Sequence, residues 1–321
     1  MSPLRGGEWP SVTVVVPTRN DSRVIARCLD AVIGQDYPGP QPEVIAVDNG
    51  STDGTPEVLS RYAPRVLILR ESRRGVSWAR NAAIWAARGE WIAFTDADCI
   101  PRPDWLRTLV DAGRRDVGAT FVGGRIVALP PANAIARFSE NLFDQRRSIE
   151  EDRPPAFISA NLLARRDTLV GCGMFNPDYS RGQDTELAWR SQQRFGARIA
   201  YCDDAVVEHH NPSSIAALIH KGWQHGCGAS RLFDEFQAFH GRSLRKRIRQ
   251  TKPYSDLLRS LWTLLPLPRR LGGAGRPLAE RCDTFYFALF RCVRHVSFVF
   301  HARRLNPAQN DRPGIAPPNP P

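Results

Sequence analysis

No stretch of this 321-residue chain is long and clean enough in apolar residues to cross a bilayer. No Cys-x-x-Cys pair occurs among the seven cysteines, and their count is odd. The simplest reading is a reducing compartment, with Cys28, Cys172 and the others serving as small buried apolar groups. The first apolar run begins at Val12, which leaves no room for a secretory leader ahead of it. A cytoplasmic location is therefore expected. No Gly-x-Gly-x-x-Gly follows that first run, so a dinucleotide-dependent oxidoreductase is excluded. There is no internal repeat.

Acidic charge is scarce at one end. Residues 241–321 carry 16 Lys/Arg against 4 Asp/Glu, whereas the preceding 240 residues are close to neutral within a total of +11. Such asymmetry marks a polyanionic surface as partner. The segment RSLRKRIRQTK (Arg242 to Lys252) reads as a solvated helix face, a membrane-surface patch or a nucleic-acid patch. Downstream, Leu257 to Leu267 and Phe285 to Phe300 are strongly apolar, and Arg291, Arg294 and His295 share one helical stripe. A helix lying in a membrane interface has this shape. The alternative is an ordinary helix packed on the body with a basic edge. No nucleic acid is expected, because no recognised module accompanies the charge.

The rest of the chain alternates strand and helix patterns. Val12–Val16, Val44–Val47, Val66–Leu69 and Trp91–Phe94 read as buried strands. Between them, Arg23–Ile33, Thr55 to about Tyr62, and Ser77–Ala87 read as helices, the first capped by Asp21 or Ser22 and the second by Thr55 ahead of Pro56. Short connections in this order mean a parallel sheet covered on both faces. A helix over 104–114 and a strand over 120–129 follow. Beyond Pro130 the pattern loosens: helix over 135–147, strand over 157–164, helix over 184–195, and short strands over 199–201 and 205–207 ending at His209-His210. Residues 213–239 read as a long helix interrupted at Gly226-Cys227-Gly228, and 306–321 as a Pro-rich disordered tail.

The Asp96-Ala97-Asp98 run carries the most chemistry. It follows the strand Trp91–Phe94 directly, and two neighbouring carboxylates repel unless a cation lies between them. Hard oxygen donors suit Mg2+ or Mn2+. Strand ends of an α/β sheet are also where ligands bind.

Taken together, VVVPTRNDSRVIARCLDAVIGQDYP, VIAVDNGSTDGT and GVSWARNAAIWAARGEWIAFTDADC resemble the family 2 glycosyltransferases over roughly residues 11–230. The resemblance implies a GT-A fold: Rossmann-like, with a mostly parallel central sheet, helices on both faces and, here, a C-terminal helical extension. Residues 1–240 would form the catalytic domain and 241–305 the extension. It implies one sugar transferred, with inversion, from a nucleotide-diphosphate sugar, most simply a UDP-sugar. Pro17 and Thr18 would line the nucleotide pocket, Asp48 would reach the base or ribose, and Arg80 would approach the nucleotide. Asp96 would approach the ribose, and Asp98 with His209 would hold Mg2+ or Mn2+. Asp184 would be the base, favoured in its charged form by the helix start.

Each residue also has a plainer reading: Asp96 and Asp98 as caps of the turn before Pro101, Asp48 as an Asx turn, Arg80 as a surface cation, Asp184 as a helix cap, His209 as structural. The sequence departs from the family at Gln183, where Glu is usual, and at Asn176, where an acid is usual. The Gln-x-x-Arg-Trp run of processive synthases is missing, so a single transfer is expected. The acceptor would be a lipid-linked or cell-envelope intermediate, with the protein peripheral on the inner face of the plasma membrane through residues 241–305. A sugar-phosphate nucleotidyltransferase is weaker, since Pro17-Thr18-Arg19-Asn20 lacks that class's Gly-rich loop. A non-catalytic nucleotide-sugar binder is disfavoured because the paired acids and the Asp184 base are retained.

Overall fold

The computed structural model describes residues 8–130, 133–236, 239, 251–264 and 278–302. Most of the basic cluster from Arg242 and the Pro-rich tail lie outside the described residues. What is described falls into two compact units: residues up to 127 with 143–210, and residues 128–142 with the chain from 211 onward.

The first unit is built on an eight-stranded sheet. Strands β1 (Val12–Thr18), β2 (Glu43–Asp48), β3 (Leu67–Arg70) and β4 (Trp91–Thr95) alternate with helices α1 (Ile25–Ile33), α2 (Thr55–Ser60) and α3 (Val76–Ala86). Then come β5 (Cys99–Pro101), α4 (Trp105–Arg115), β6 (Phe121–Ala128), β7 (Asn161–Arg165), α6 (Arg166–Gly171), α7 (Gln183–Phe195) and β8 (Ile199–His209), with α5 (Ala134–Ser139) intervening before β7. The spatial order is β3-β2-β1-β4-β7-β6-β8-β5. The half from β3 to β4 is parallel, and the pairs β4–β7, β6–β7 and β5–β8 are antiparallel. Every residue of β1 and β4 is buried, as expected for strands covered on both faces. On one face, Val15, Ile45, Val47, Ile92 and Phe94 pack with Ala83 and Ile84 of α3 and Leu187 of α7.

Several local expectations change. The helix expected over 135–147 is α5 followed by a 3-10 turn, with a π-helical turn at Arg147–Glu151. The strand expected from Phe157 begins only at Asn161. The strands expected at 199–201 and 205–207 are one continuous β8. β5 was invisible in sequence: three residues become a strand only by pairing with β8. Asp21 does not cap α1 with its side chain; its carboxylate instead accepts hydrogen bonds from Thr18 Oγ1 and Arg19 N. Thr55 opens α2 after Gly54, and Asp53 Oδ1 accepts its N–H at 3.0 Å.

Antiparallel β6 and β7 are joined by a polar hub. Asn161, fully buried, donates from Nδ2 to the carbonyls of Arg125 and Ala205, and accepts from Trp105 Nε1. A side chain at Gly124 would collide with both the Ala205 carbonyl and the Asn161 amide, so glycine is required there.

The second unit is helical: α5, α8 (Ile215–Glu235), α9 (Lys252–Leu264) and α10 (Leu278–Ala302). Ser214 caps α8, accepting from Ala217 N. The glycines expected to interrupt α8 do not. Gly226 lies against α10, where a Cβ would strike the Arg294 carbonyl and Ser297, so its role is close helix packing. On α10, Arg291 pairs with Asp256 of α9 at 3.3 Å. His295 is 4% exposed, its ring stacked on Phe298 and edge-on to Tyr254. Two residues of the stripe read from sequence are thus engaged within this unit. Among the described residues no helix is long and apolar enough to cross a membrane.

Candidate active site

Parallel strands present their carboxyl ends side by side. Register pairs Pro17 with Val47 and Thr18 with Asp48, so these four residues finish together. Asp48 is 3% exposed and its Oδ1 accepts Ser51 N at 2.9 Å, which is the Asx turn read as its alternative role. Asn49, which the sequence analysis did not single out, ties three loops. Its Nδ2 donates to the carbonyls of Glu71 and Arg73, and its Oδ1 accepts Gly75 N at the start of α3.

Three residues of separate motifs meet at one guanidinium. Arg80 of α3 is 3% exposed rather than a surface cation. Its Nη2 lies 2.9 Å from Asp96 Oδ1, just beyond β4, and its Nη1 lies 3.4 Å from Asp184 Oδ1, in the first turn of α7. Arg80 Nε is buried without a hydrogen-bond partner, and the guanidinium sits over the Phe175 ring. Asn81, the next residue, exchanges two hydrogen bonds with the Phe175 backbone, fixing the 172–176 segment to α3.

Asp184 is also held from the other side. Ser159 donates from Oγ to Asp184 Oδ1 at 2.9 Å and from its backbone N–H to Oδ2 at 3.1 Å. Burial pushes the Asp184 carboxyl above the ordinary carboxylate range; Arg80 and Ser159 pull it back and Asp96 pushes it up further. The sequence reading missed Ser159, because nothing local in a loop before a strand signals a contact 25 residues away. Gln183, where the family usually has Glu, is 8% exposed and its Oε1 is buried without a partner. Asn176, the other departure, is buried and uses its Oδ1 to accept Asp178 N.

Helix α7 is anchored by a buried ion pair. Arg190 Nη2 lies 2.9 Å from Glu186 Oε2 and donates at 2.6 Å to the Met174 carbonyl; Nη1 donates to the Cys172 carbonyl. This pair seats the helix that carries Asp184.

A second cluster forms where β5 pairs with β8. Asp98 Oδ1 lies 3.6 Å from His209 Nε2, and the His210 N–H donates to the Asp98 carbonyl. His209 is 5% exposed with its ring 4.4 Å from that of Phe143, while His210 is exposed. Ligand atoms of Asp98, Cys99 and His209 all lie within 4.8 Å of one another. Oxygen, nitrogen and sulfur donors at this spacing fit a divalent cation of the first transition row. Burial, with Asp98 and Asp96 close by, holds the Cys99 thiol protonated. The structure thus groups Arg80, Asp96 and Asp184 at one point and Asp98 and His209 at another, linked through the Asp96–Asp98 turn. Pro17, Thr18 and Asp48 stand at neighbouring strand ends.

Comparison with known proteins agrees with this arrangement. The family model described as glycosyl transferase family 2 matches residues 13–170. Glycosyltransferase AglE of Haloferax volcanii is 29% identical over 229 residues, covering 70% of this chain and 74% of that protein. Succinoglycan biosynthesis protein ExoO of Rhizobium meliloti is 34% identical over 209 residues, 64% of this chain and 57% of its own length. The chain therefore spans only part of such relatives. Among solved structures, the mannosyltransferase PcManGT of Pyrobaculum calidifontis, in complex with GDP-Man and Mn2+, superposes with a TM-score of 0.61 at 20% identity, covering 92% of this chain and 88% of that one. That likeness establishes the GT-A fold. With its sheet, its strand-end acids and these matches together, residues 13–170 of the chain form a family 2 glycosyltransferase domain.

Proposed function

We propose that this protein transfers a single sugar, with inversion, from a nucleotide-diphosphate sugar to an acceptor hydroxyl, with Asp184 as the base. The observation that carries the reading is the Arg80 guanidinium shared between Asp96 and Asp184. It joins the strand-end acid expected on the donor side to the carboxylate expected on the acceptor side.

The hydrogen-bond inventory of Asp184 fits a base. A carboxylate offers about four acceptor positions. Arg80 and Ser159 Oγ take those of Oδ1, and Ser159 N takes one on Oδ2. One position on Oδ2 is left for an acceptor hydroxyl. A carboxyl raised by burial is also a better proton acceptor than an exposed one. In the reaction, Asp184 takes the hydroxyl proton while the oxygen attacks the anomeric carbon. The bond to the diphosphate breaks on the opposite face, and its electron pair leaves with the nucleotide. Arg80 sets the direction of both carboxylates and holds positive charge beside them.

Asp98 and His209 would hold Mg2+ or Mn2+. When bound, such a cation supplies positive charge against the departing pyrophosphate. Pro17, Thr18 and Asp48 would border the nucleoside, with the Asp48 carboxylate already oriented by Ser51 N. PcManGT binds GDP-mannose with Mn2+, while a UDP-sugar is our first candidate here. The donor base is read directly by thermal shift: the full chain is melted with UDP, GDP, ADP or CDP, with and without Mn2+. The cognate diphosphate should raise Tm only when Mn2+ is present. No shift with any of them contradicts nucleotide-sugar binding.

The acceptor we favour is lipid-linked, met at a membrane surface. Ile215, Ile219 and Trp223 follow at successive turns of α8, each about 40% exposed, and Trp223 meets Phe300 of α10, where Val296 is exposed one turn earlier. The basic cluster from Arg242 follows α8 closely in sequence. An apolar stripe followed in sequence by a block of cations suits an anionic bilayer.

A further inference from the structure

We infer that Cys99 is a third protein ligand of the cation at Asp98 and His209, and that its sulfur biases the centre toward Mn2+, Co2+ and softer ions over Mg2+. This rests on the proposed Asp98–His209 cation site. Three observations lead here. First, Asp96 is withdrawn from that site, because its Oδ1 is 2.9 Å from Arg80 Nη2. Asp98 and His209 alone make a sparse protein ligand set. Second, strand register places Cys99 directly opposite His209 across the β5–β8 ladder. Directly opposed residues of an antiparallel pair project to the same face with neighbouring Cβ atoms. Third, Cys99 Sγ is 3.9 Å from Asp98 Oδ1, and His209 Nε2 is 3.6 Å from the same oxygen. Bonds of about 2.0–2.3 Å from one ion to O, N and S donors put those donors roughly 3–4 Å apart. Both spacings already match. The remaining edge, between Sγ and a ring nitrogen of His209, is at most 4.8 Å.

Cys99 is fully buried, and its sulfur faces the Asp98 carboxylate. The other nearby thiol, Cys28, is directed elsewhere, donating to the Asp96 carbonyl at 3.4 Å. On coordination the S–H bond of Cys99 is exchanged for a sulfur–metal bond, and the proton leaves to solvent. No electrons are transferred. Thiolate prefers borderline and soft ions, whereas Mg2+ prefers oxygen and water. The residue after the second Asp therefore tunes which cation the centre keeps.

The test uses Co2+ as probe on the full chain, alone and with UDP, read by absorption. A thiolate bound to Co2+ gives an intense near-ultraviolet charge-transfer band that carboxylate and imidazole do not. We expect one such band per chain, lost in Cys99→Ser and Cys99→Ala. Those variants should still bind Co2+, with affinity lowered at least about tenfold, while Mg2+ affinity changes little. The serine variant keeps the shape of the buried side chain with one smaller atom, which guards against misfolding. Co2+ binding that needs Asp98 and His209 but shows no band, or a band that survives in both Cys99 variants, overturns the inference and leaves the cation site standing. Co2+ binding unaffected by Asp98→Ala and His209→Ala removes the cation site itself, and this inference with it.

Discussion

The Arg80 guanidinium lies 3.4 Å from Asp184 Oδ1, although four strands separate helices α3 and α7 in sequence. The same group lies 2.9 Å from Asp96. Lysine carries the charge but not the planar fork that reaches both acids. We expect Arg80→Lys to fold and to lose about 10²-fold in kcat/KM, the scale of an ångström of misplacement at a reacting centre. Arg80 also lowers the Asp184 pKa, so Arg80→Gln should move the acid limb of the pH–rate profile upward. An unmoved limb would separate Arg80 from the base.

Burial leaves Asp184 raised above its ordinary 3.8. Transfer should therefore fall away, as pH drops, at values above 3.8. The stability sign runs the other way. A carboxyl that binds its proton more tightly when folded loses stability as pH rises from 3.8 through its folded pKa. Asp184→Asn should melt at or above the wild-type temperature at neutral pH, with the difference vanishing in acid. Thermal melts from pH 3 to 8 check this.

Ser159 acts through Asp184. Removing its hydroxyl deletes one of two Ser159 hydrogen bonds to that carboxylate and should cost about 1.5–3 kcal/mol where the acceptor is charged. Ser159→Ala should lower kcat with little change in donor KM, and should shift the acid limb upward. A purely structural serine would lower Tm without moving the limb.

How much of this could be read in advance varies with the kind of residue. Asp96 and Asp98 follow a strand whose local pattern is plain, and the alternation around β1–β4 sets that strand end on one edge of a sheet; Arg80 and Asp184 were named only through the family resemblance. Ser159, Asn49 and Cys99 were not legible. Ser159 and Asn49 make contacts between loops, and the place we propose for Cys99 comes from the antiparallel β5–β8 ladder, which three residues at Cys99–Pro101 cannot announce. The glycines of α8 were misread for a similar reason: Gly226 is set by its neighbour α10 rather than by α8 itself.

Glu186 and Arg190 form a buried pair that seats α7. Glu186→Gln leaves the Arg190 charge uncompensated and should cost roughly 3–5 kcal/mol in denaturant unfolding. Replacing both by apolar residues of similar volume should recover most of that loss. Retained stability in the single variant would deny the anchoring role.

The membrane contact we propose should be separable from catalysis. Co-sedimentation with vesicles containing anionic lipid should fall several-fold in Ile219→Ser/Trp223→Ser, and should fall with salt in the wild type. Transfer to a small water-soluble acceptor should be unchanged. Equal binding to zwitterionic and anionic vesicles would remove the basic segment from this role.

The most direct measurement compares wild type, Asp184→Asn and Asp98→Ala in two assays on the same preparations: nucleoside-diphosphate binding in Mn2+, and sugar transfer from the matching donor. We expect Asp184→Asn to bind the diphosphate as wild type does while transfer drops by about 10²–10⁴-fold, and Asp98→Ala to lose binding. Transfer at near wild-type rate by Asp184→Asn would contradict the assignment of the base.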